Sequence, residues 1–177
     1  MEGNCNMVKK MSTAMVVELT ESEDAKHRYV LHKVWDDKKP CCTIITLYPG
    51  IAELVAMDTT QMLITNHLYN KGYGGYYSVN LFSKIGISNR KRQQLLNATD
   101  KENDKAILGC AEKSDKIIFA WGSLPNTNNI AKVRVDLLLS KLAPYKEKCY
   151  YLSDVEGGKY YHPIATSVRY GWDFVKA

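Results

Sequence analysis

Four polar or glycine-bearing breaks hold the residues of this chain best suited to chemistry: Tyr48-Pro49-Gly50, Asn80, Trp121-Gly122-Ser123 and His162-Pro163. Asn80 lies inside the apolar run Val79-Asn80-Leu81-Phe82, and a buried amide without partners costs about 1–3 kcal/mol. Backbone groups or a ligand must bond it, and an amide that both donates and accepts can read the edge of a base. His162 precedes Pro163, whose ring pushes the histidine to an extended conformation, a rigid way to present an imidazole at a loop mouth. The other reading is a turn histidine bonded to a nearby carbonyl. Trp121 and the group Tyr73, Tyr76 and Tyr77 offer rings for a stacked base or for the core. The set has no strong acid and no thiol nucleophile, so it describes a pocket for a nucleobase or nucleotide more firmly than it describes a reaction.

Other chemistries find less support. Gly72-Tyr73-Gly74-Gly75 follows a helix pattern and precedes a strand pattern, the reverse of the order that sets a helix N-terminus on phosphate, and so reads as a helix cap and turn. Neither the G-x-x-x-x-G-K-[ST] nor the H-E-x-x-H pattern occurs, and nothing calls for a cofactor. Cys41 and Cys42 are adjacent, and neighbouring strand residues point to opposite faces, which makes a poor start for a zinc site. His27, His32 and His67 read as structural or solvated. Five cysteines without a C-x-x-C spacing fit reduced thiols in a cytoplasmic protein.

The formal charge of +5, from 24 Lys plus Arg against 19 Asp plus Glu, is compatible with a phosphate-bearing partner without requiring one. Arg90-Lys91-Arg92 is the one dense basic cluster and the candidate contact for nucleic acid or phosphate. No apolar run approaches the roughly 18 residues of a membrane span, and Met1-Glu2-Gly3-Asn4 lacks the basic start of a secretory signal.

The elements that must position these residues can be read from periodicity. The 177 residues suit one domain, with residues 1–26 as a loosely packed arm and 27–177 as a single α/β domain. Strands are predicted over 28–35, at a sheet edge, and over 42–48, 76–82, 116–121 and 148–152, each β-branched or aromatic. A helix is predicted from Asp58 to Lys71, with the capping-box pair Asp58 and Gln61, and a second from Asp100 through Ala106, Ile107, Cys110 and Ala111. A third follows Asn126-Thr127-Asn128-Asn129, with Ile130, Val133, Leu137, Leu138 and Leu142 as its apolar stripe. This alternation predicts a three-layer α/β/α sandwich around a short, mostly parallel sheet. In such a sheet ligands sit beyond the carboxyl ends of the strands, where all four breaks fall.

Arg28-Tyr29-x-Leu31, Leu47-Tyr48-Pro49-Gly50-x-Ala52, Asp58-x-Thr60, Gly72-Tyr73-Gly74, Asn80-Leu81-Phe82, Asn103-Asp104, Ala120-Trp121-Gly122 and His162-Pro163 occur in one order. In this the chain resembles the domain of unknown function 1643 family of bacteria and their phages, which carries no established activity. The same layout is more distantly similar to the uracil-DNA glycosylase superfamily. That resemblance implies a water-positioning residue at Tyr48, a base-reading amide at Asn80 and a histidine at His162 that stabilises the departing base. Both families favour Asn, or Asp in some glycosylases, where this chain has Tyr48. A phenol with an ordinary pKa near ~10 stays protonated at neutral pH and is no ordinary general base.

The resemblance therefore implies a pocket kept for binding and weakened for catalysis. In a phage setting such a pocket would sequester a host nucleotide immune signal, an anti-defence role. The alternative is a DNA glycosylase acting on a flipped base, with Asp58 and His162 as its catalytic residues. A plain interaction domain is the third reading. The sequence specifies no oligomeric state.

Overall fold

The computed structural model describes residues 9–51, 53–87 and 92–177. Among these are seven strands, β1 (Val16–Glu21), β2 (Arg28–Val34), β3 (Cys41–Thr46), β4 (Gly75–Asn80), β5 (Lys116–Phe119), β6 (Cys149–Ser153) and β7 (Asp173–Lys176). Three α-helices accompany them, α1 (Thr59–Asn70), α2 (Lys101–Lys113) and α3 (Asn129–Lys141), with short 3-10 helices at Arg92–Asn97, Leu124–Asn126 and Ala143–Lys148. All strands join one sheet in the order β1-β2-β4-β3-β5-β6-β7.

The fold is α/β, but the sheet is mixed where the sequence pattern predicts a mostly parallel one. The central strands β4, β3, β5 and β6 are parallel, because α1, α2 and α3 each carry the chain back to the same end of the sheet. The pairings β1 with β2, β2 with β4 and β6 with β7 are antiparallel. A parallel neighbour needs a crossover of about a dozen residues or more, and the turn Asp36–Pro40 cannot supply one between β2 and β3. The segment read as an arm contributes β1, paired with β2 from Val16 opposite Val34 to Glu21 opposite Arg28, so β2 is internal rather than an edge. Its polar, exposed composition hid this strand, and β7 is only four residues long.

The strands bury two cores, one on each face. On one, Ile45, Val79, Ile117 and Phe119 pack with Ile107, Cys110 and Ala111 of α2 and Ala131, Val135 and Leu138 of α3. On the other, Cys42, Ile44, Tyr76 and Ile118 pack with Ile64 and Leu68 of α1 and with Val168 and Trp172 beyond β6.

The predicted stripe of α3 is rotated by about one residue. Val133 and Leu137 are 66% and 47% exposed, and the buried face is Ala131, Arg134, Val135 and Leu138. Arg134 holds Asp104 at 2.6 Å and donates from Nε to Leu81 O at 2.7 Å. A charged residue on the inner face is invisible to an apolar periodicity count. Burial works to raise the Asp104 carboxyl, but Lys141 and Arg134 outweigh it and hold the group below its ordinary value.

Candidate functional site

A cavity of about 590 Å³ opens beyond the carboxyl ends of the parallel strands. It lies near the gap between β3 and β5, where the chain turns from building the sheet on one side to building it on the other. Thr46, Leu47, Tyr48 and Gly50 line it from the end of β3, Asn80 from β4, Trp121 and Ser123 from beyond β5, and His162 from the loop after β6. Arg28 closes it from β2, and Asp58, Thr60 and Gln61 from the start of α1. Tyr48, Gly50, Asn80, Trp121, Ser123 and His162 are thus brought together from four distant segments. Pro49 and Gly122 do not line the cavity.

Asn80 is 3% exposed, and its Oδ1 accepts from the Thr46 hydroxyl at 2.8 Å. Thr46 and Asn80 are register partners in the parallel pair, which places the two side chains together. The Asn80 Nδ2 donor has no hydrogen-bond partner among the described residues. The backbone behind it is clamped: Asn103, fully buried, donates from Nδ2 to Asn80 O at 3.1 Å and Leu81 O at 3.3 Å. Arg134 reaches the same Leu81 carbonyl from α3.

His162 is partly buried, and burial pushes its pKa down to about 4 against the opposing pull of the Asp58 carboxylate, so the ring is neutral at pH 7. Its Nδ1 accepts from the Ile164 amide at 3.4 Å, which leaves the proton on Nε2. The loop that carries it is over-determined. Tyr160 holds a left-handed φ of 66°, a strained value for a tyrosine. Tyr161 donates to Asp154 Oδ2 at 2.6 Å, while Asp154 Oδ1 takes the amides of Glu156 and Gly158. Gly122 packs beside this loop, where a Cβ on it would be in ordinary contact with the His162 Cβ at 3.4 Å, and its φ of 77° is a conformation that favours glycine.

Asp58 is both a helix cap and a cavity residue. Its Oδ1 accepts the Gln61 amide at 2.8 Å, and a Cβ added to Gly50 would lie 2.1 Å from its Oδ2. Gln61 does not close the capping box: its side chain donates to Ser78 Oγ at 3.0 Å and accepts from the Tyr76 hydroxyl at 2.8 Å. Burial raises the Tyr48 phenol above its ordinary value, which keeps it neutral.

The ring assignments change. Trp121 is 3% exposed and stacks on Phe119 at 4.6 Å with Tyr151 against its edge, so it is core and wall rather than a free platform. Tyr76 is buried under α1, Tyr77 stacks on His32 at 4.1 Å, and Tyr73 lines a smaller cavity of about 270 Å³ beside Lys71 and Lys116. None of the three tyrosines lines the larger cavity.

His32 meets Glu18 at 3.0 Å, and His67 meets the Arg169 carbonyl at 3.0 Å. Ser83, His27 and Asp100 gather, but both partners face the same ring nitrogen, at 2.8 and 3.8 Å, and Ser83 is fully buried. A proton relay needs the two different nitrogens. Burial raises the thiols of Cys110 to about 12 and Cys149 to about 11, far from nucleophilic at neutral pH. Among the described residues no group of three His, Cys, Asp or Glu side chains is placed to hold a metal, and no helix is long and apolar enough to cross a membrane. Arg90 and Lys91 lie outside the described residues, as does the side chain of Arg92.

Sequence reasoning missed Arg28, Thr46 and Gln61 as cavity residues. Register alone signals Thr46, since a hydroxyl directly across from a buried amide on a paired strand is its natural partner. No curated protein and no solved structure matches the chain. A family model does, over residues 28–164, which reach from the arginine at the cavity wall to just past the histidine loop; the chain belongs to the family described as "Protein of unknown function (DUF1643)".

Proposed function

We propose that this protein is a three-layer α/β/α sandwich that binds a nucleobase or nucleotide in the cavity at the carboxyl ends of β3, β4 and β5. One observation carries the reading. Thr46 fixes the Asn80 amide so that its donor is left over, and His162 adds a neutral Nε2–H in the same cavity. Two positioned donors in a partly apolar cleft suit a flat ring bearing acceptors. The helices packed against both faces of the parallel centre support the layout implied by the resemblance to the uracil-DNA glycosylase superfamily. Holding the ligand without cleaving it makes sequestration the mode of action, and in a phage setting the captive would be a host nucleotide signal. Native mass spectrometry of protein taken directly from cells tests this: a co-purifying nucleotide mass is expected in wild type and lost in Asn80→Ala. An apo mass from every source, together with no nucleoside or nucleotide detected by calorimetry, would sink it.

The second reading, a glycosylase, rests on Asp58, whose carboxylate lines the cavity and acts electrostatically on His162. Asp58→Asn keeps a capping side chain and removes the charge. Base release from uracil- or hypoxanthine-containing DNA by wild type, abolished in a stably folded Asp58→Asn variant, would establish this reading. With the neutral Tyr48 at the water-positioning place, no release is expected.

A further inference from the structure

The smaller cavity, of about 270 Å³, lies at the other end of the sheet. Pro40 lines it just before β3, Lys71, Gly72 and Tyr73 between α1 and β4, and Asp115 and Lys116 at the start of β5. Because β3, β4 and β5 are parallel, all of these sit at the amino ends of the strands. A six-residue strand, ~16 Å long by its rise per residue, therefore separates this cavity from Asn80 and His162.

Two aromatic rings gather its cations. Lys116 Nζ lies 3.4 Å from the ring centroid of Tyr150 and 5.7 Å from that of Phe174, and Lys71 Nζ lies 5.2 Å from Phe174. A ring face holds an ammonium in place but does not neutralise it. Neither ammonium makes a hydrogen bond or an ion pair among the described residues. The one acid lining the cavity, Asp115, is exposed, stands beyond ion-pair reach of both lysines, and accepts the Cys41 amide at 3.0 Å through Oδ2. Lys176 also lies over Tyr150, at 4.8 Å, but it has its own counter-charge in Glu147 at 3.3 Å. A third donor comes from Tyr73, whose hydroxyl has no hydrogen-bond partner among the described residues. Burial raises that phenol above its ordinary pKa, so it keeps its proton.

We propose that this smaller cavity is a second ligand site, separate from the larger one, and that it takes a phosphate group between the ammonium groups of Lys71 and Lys116 with the Tyr73 hydroxyl as a further donor. Two like charges drawn toward one ring repel each other, and an anion bound between them turns that repulsion into attraction. A phosphate brings two negative charges and several acceptor oxygens, which match two compact cations and a neutral donor better than a carboxylate does. The site stands independently of what the larger cavity binds.

Amide NMR of the nitrogen-15-labelled protein tests it, with inorganic phosphate, acetate and a short single-stranded oligodeoxynucleotide titrated in at low ionic strength, where exposed charges are least screened. Phosphate is expected to shift the amides of Gly72, Tyr73 and Lys116 along a saturating curve while those of Asn80 and His162 stay still. Lys71→Gln and Lys116→Gln, once circular dichroism has shown them folded, should each weaken phosphate about ten-fold. Tyr73→Phe should weaken it less, and Asn80→Ala should leave it unchanged. An oligonucleotide that binds more tightly than phosphate, with the same dependence on both lysines, would uphold the site and assign its phosphate to a strand rather than to a small molecule. Acetate acting as strongly as phosphate, shifts centred on Asn80 and His162, affinity indifferent to both lysine substitutions, or no saturating shift with any probe would each overturn the proposal.

Discussion

Asn80 works because two neighbours decide what it can offer. The Thr46 hydroxyl takes the carbonyl end of the amide, and Asn103 holds the backbone behind it. Removing the amide in Asn80→Ala should weaken a base-bearing ligand by about 1–3 kcal/mol, roughly 5- to 150-fold in calorimetry. Thr46→Val keeps the shape and frees the amide to rotate, so a smaller loss is expected, with relaxed discrimination between acceptor-bearing and amino-bearing bases. An Asn80→Ala variant that binds as well as wild type would show that the amide is structural. Gly50 makes a different demand: a methyl there would run into the Asp58 carboxylate. Gly50→Ala should therefore push Asp58 off the α1 cap and cost about 1 kcal/mol of stability in urea denaturation, the usual worth of an N-cap.

At the scale of elements, the strongest constraint lies where α2 and α3 meet the end of β4. Arg134 is almost fully buried, holds Asp104 from the neighbouring helix and caps a carbonyl one residue past Asn80. Arg134→Ala leaves the partly buried Asp104 carboxylate to Lys141 and the Leu81 carbonyl without its guanidinium donor, and a loss of about 1–3 kcal/mol is expected in chemical denaturation; a loss below about 1 kcal/mol would mean that Lys141 alone neutralises Asp104. This cluster also marks the limit of what periodicity reveals. The existence and order of α1, α2, α3 and the central strands follow from β-branched runs, caps at Asp58, Asp100 and Asn128, and the stop at Gly72. The rotation of α3 does not, because its inner face is set by an ion pair between residues 30 positions apart. Strand direction at the sheet ends was equally hidden, since a polar edge strand such as β1 and a four-residue β7 carry little periodic signal. The cavity residues that follow strands were legible because every parallel strand ends at the same edge. Arg28 was not, because it opens an antiparallel strand instead of following a parallel one, and a register irregularity at Tyr29 sets its phase.

Across the whole molecule, the histidine ties stability to pH. His162 has a folded-state pKa near 4 against an ordinary value of 6.5, so the unfolded chain binds its proton first. The stability it preserves is fully present above about pH 6.5 and is lost progressively as pH falls to about 4, by an amount on the order of 2–3 kcal/mol. Urea midpoints for wild type and His162→Gln measured across this window should converge toward acid. Parallel curves would mean that the imidazole titrates as if in water.

The loop bearing that imidazole runs from residue 154 to 172 between β6 and β7 without an α-helix, and its shape comes largely from Asp154, Tyr161 and the strained Tyr160. The opposite wall, with Asn80, belongs to the buried sheet. The cavity is thus a graft of two parts with separate tolerances for change: substitutions along the loop can re-tailor one side of the ligand while the amide side is locked by the demands of folding. Under the proposed binding role, a change of ligand would need only a few loop residues edited, with no renegotiation of the core.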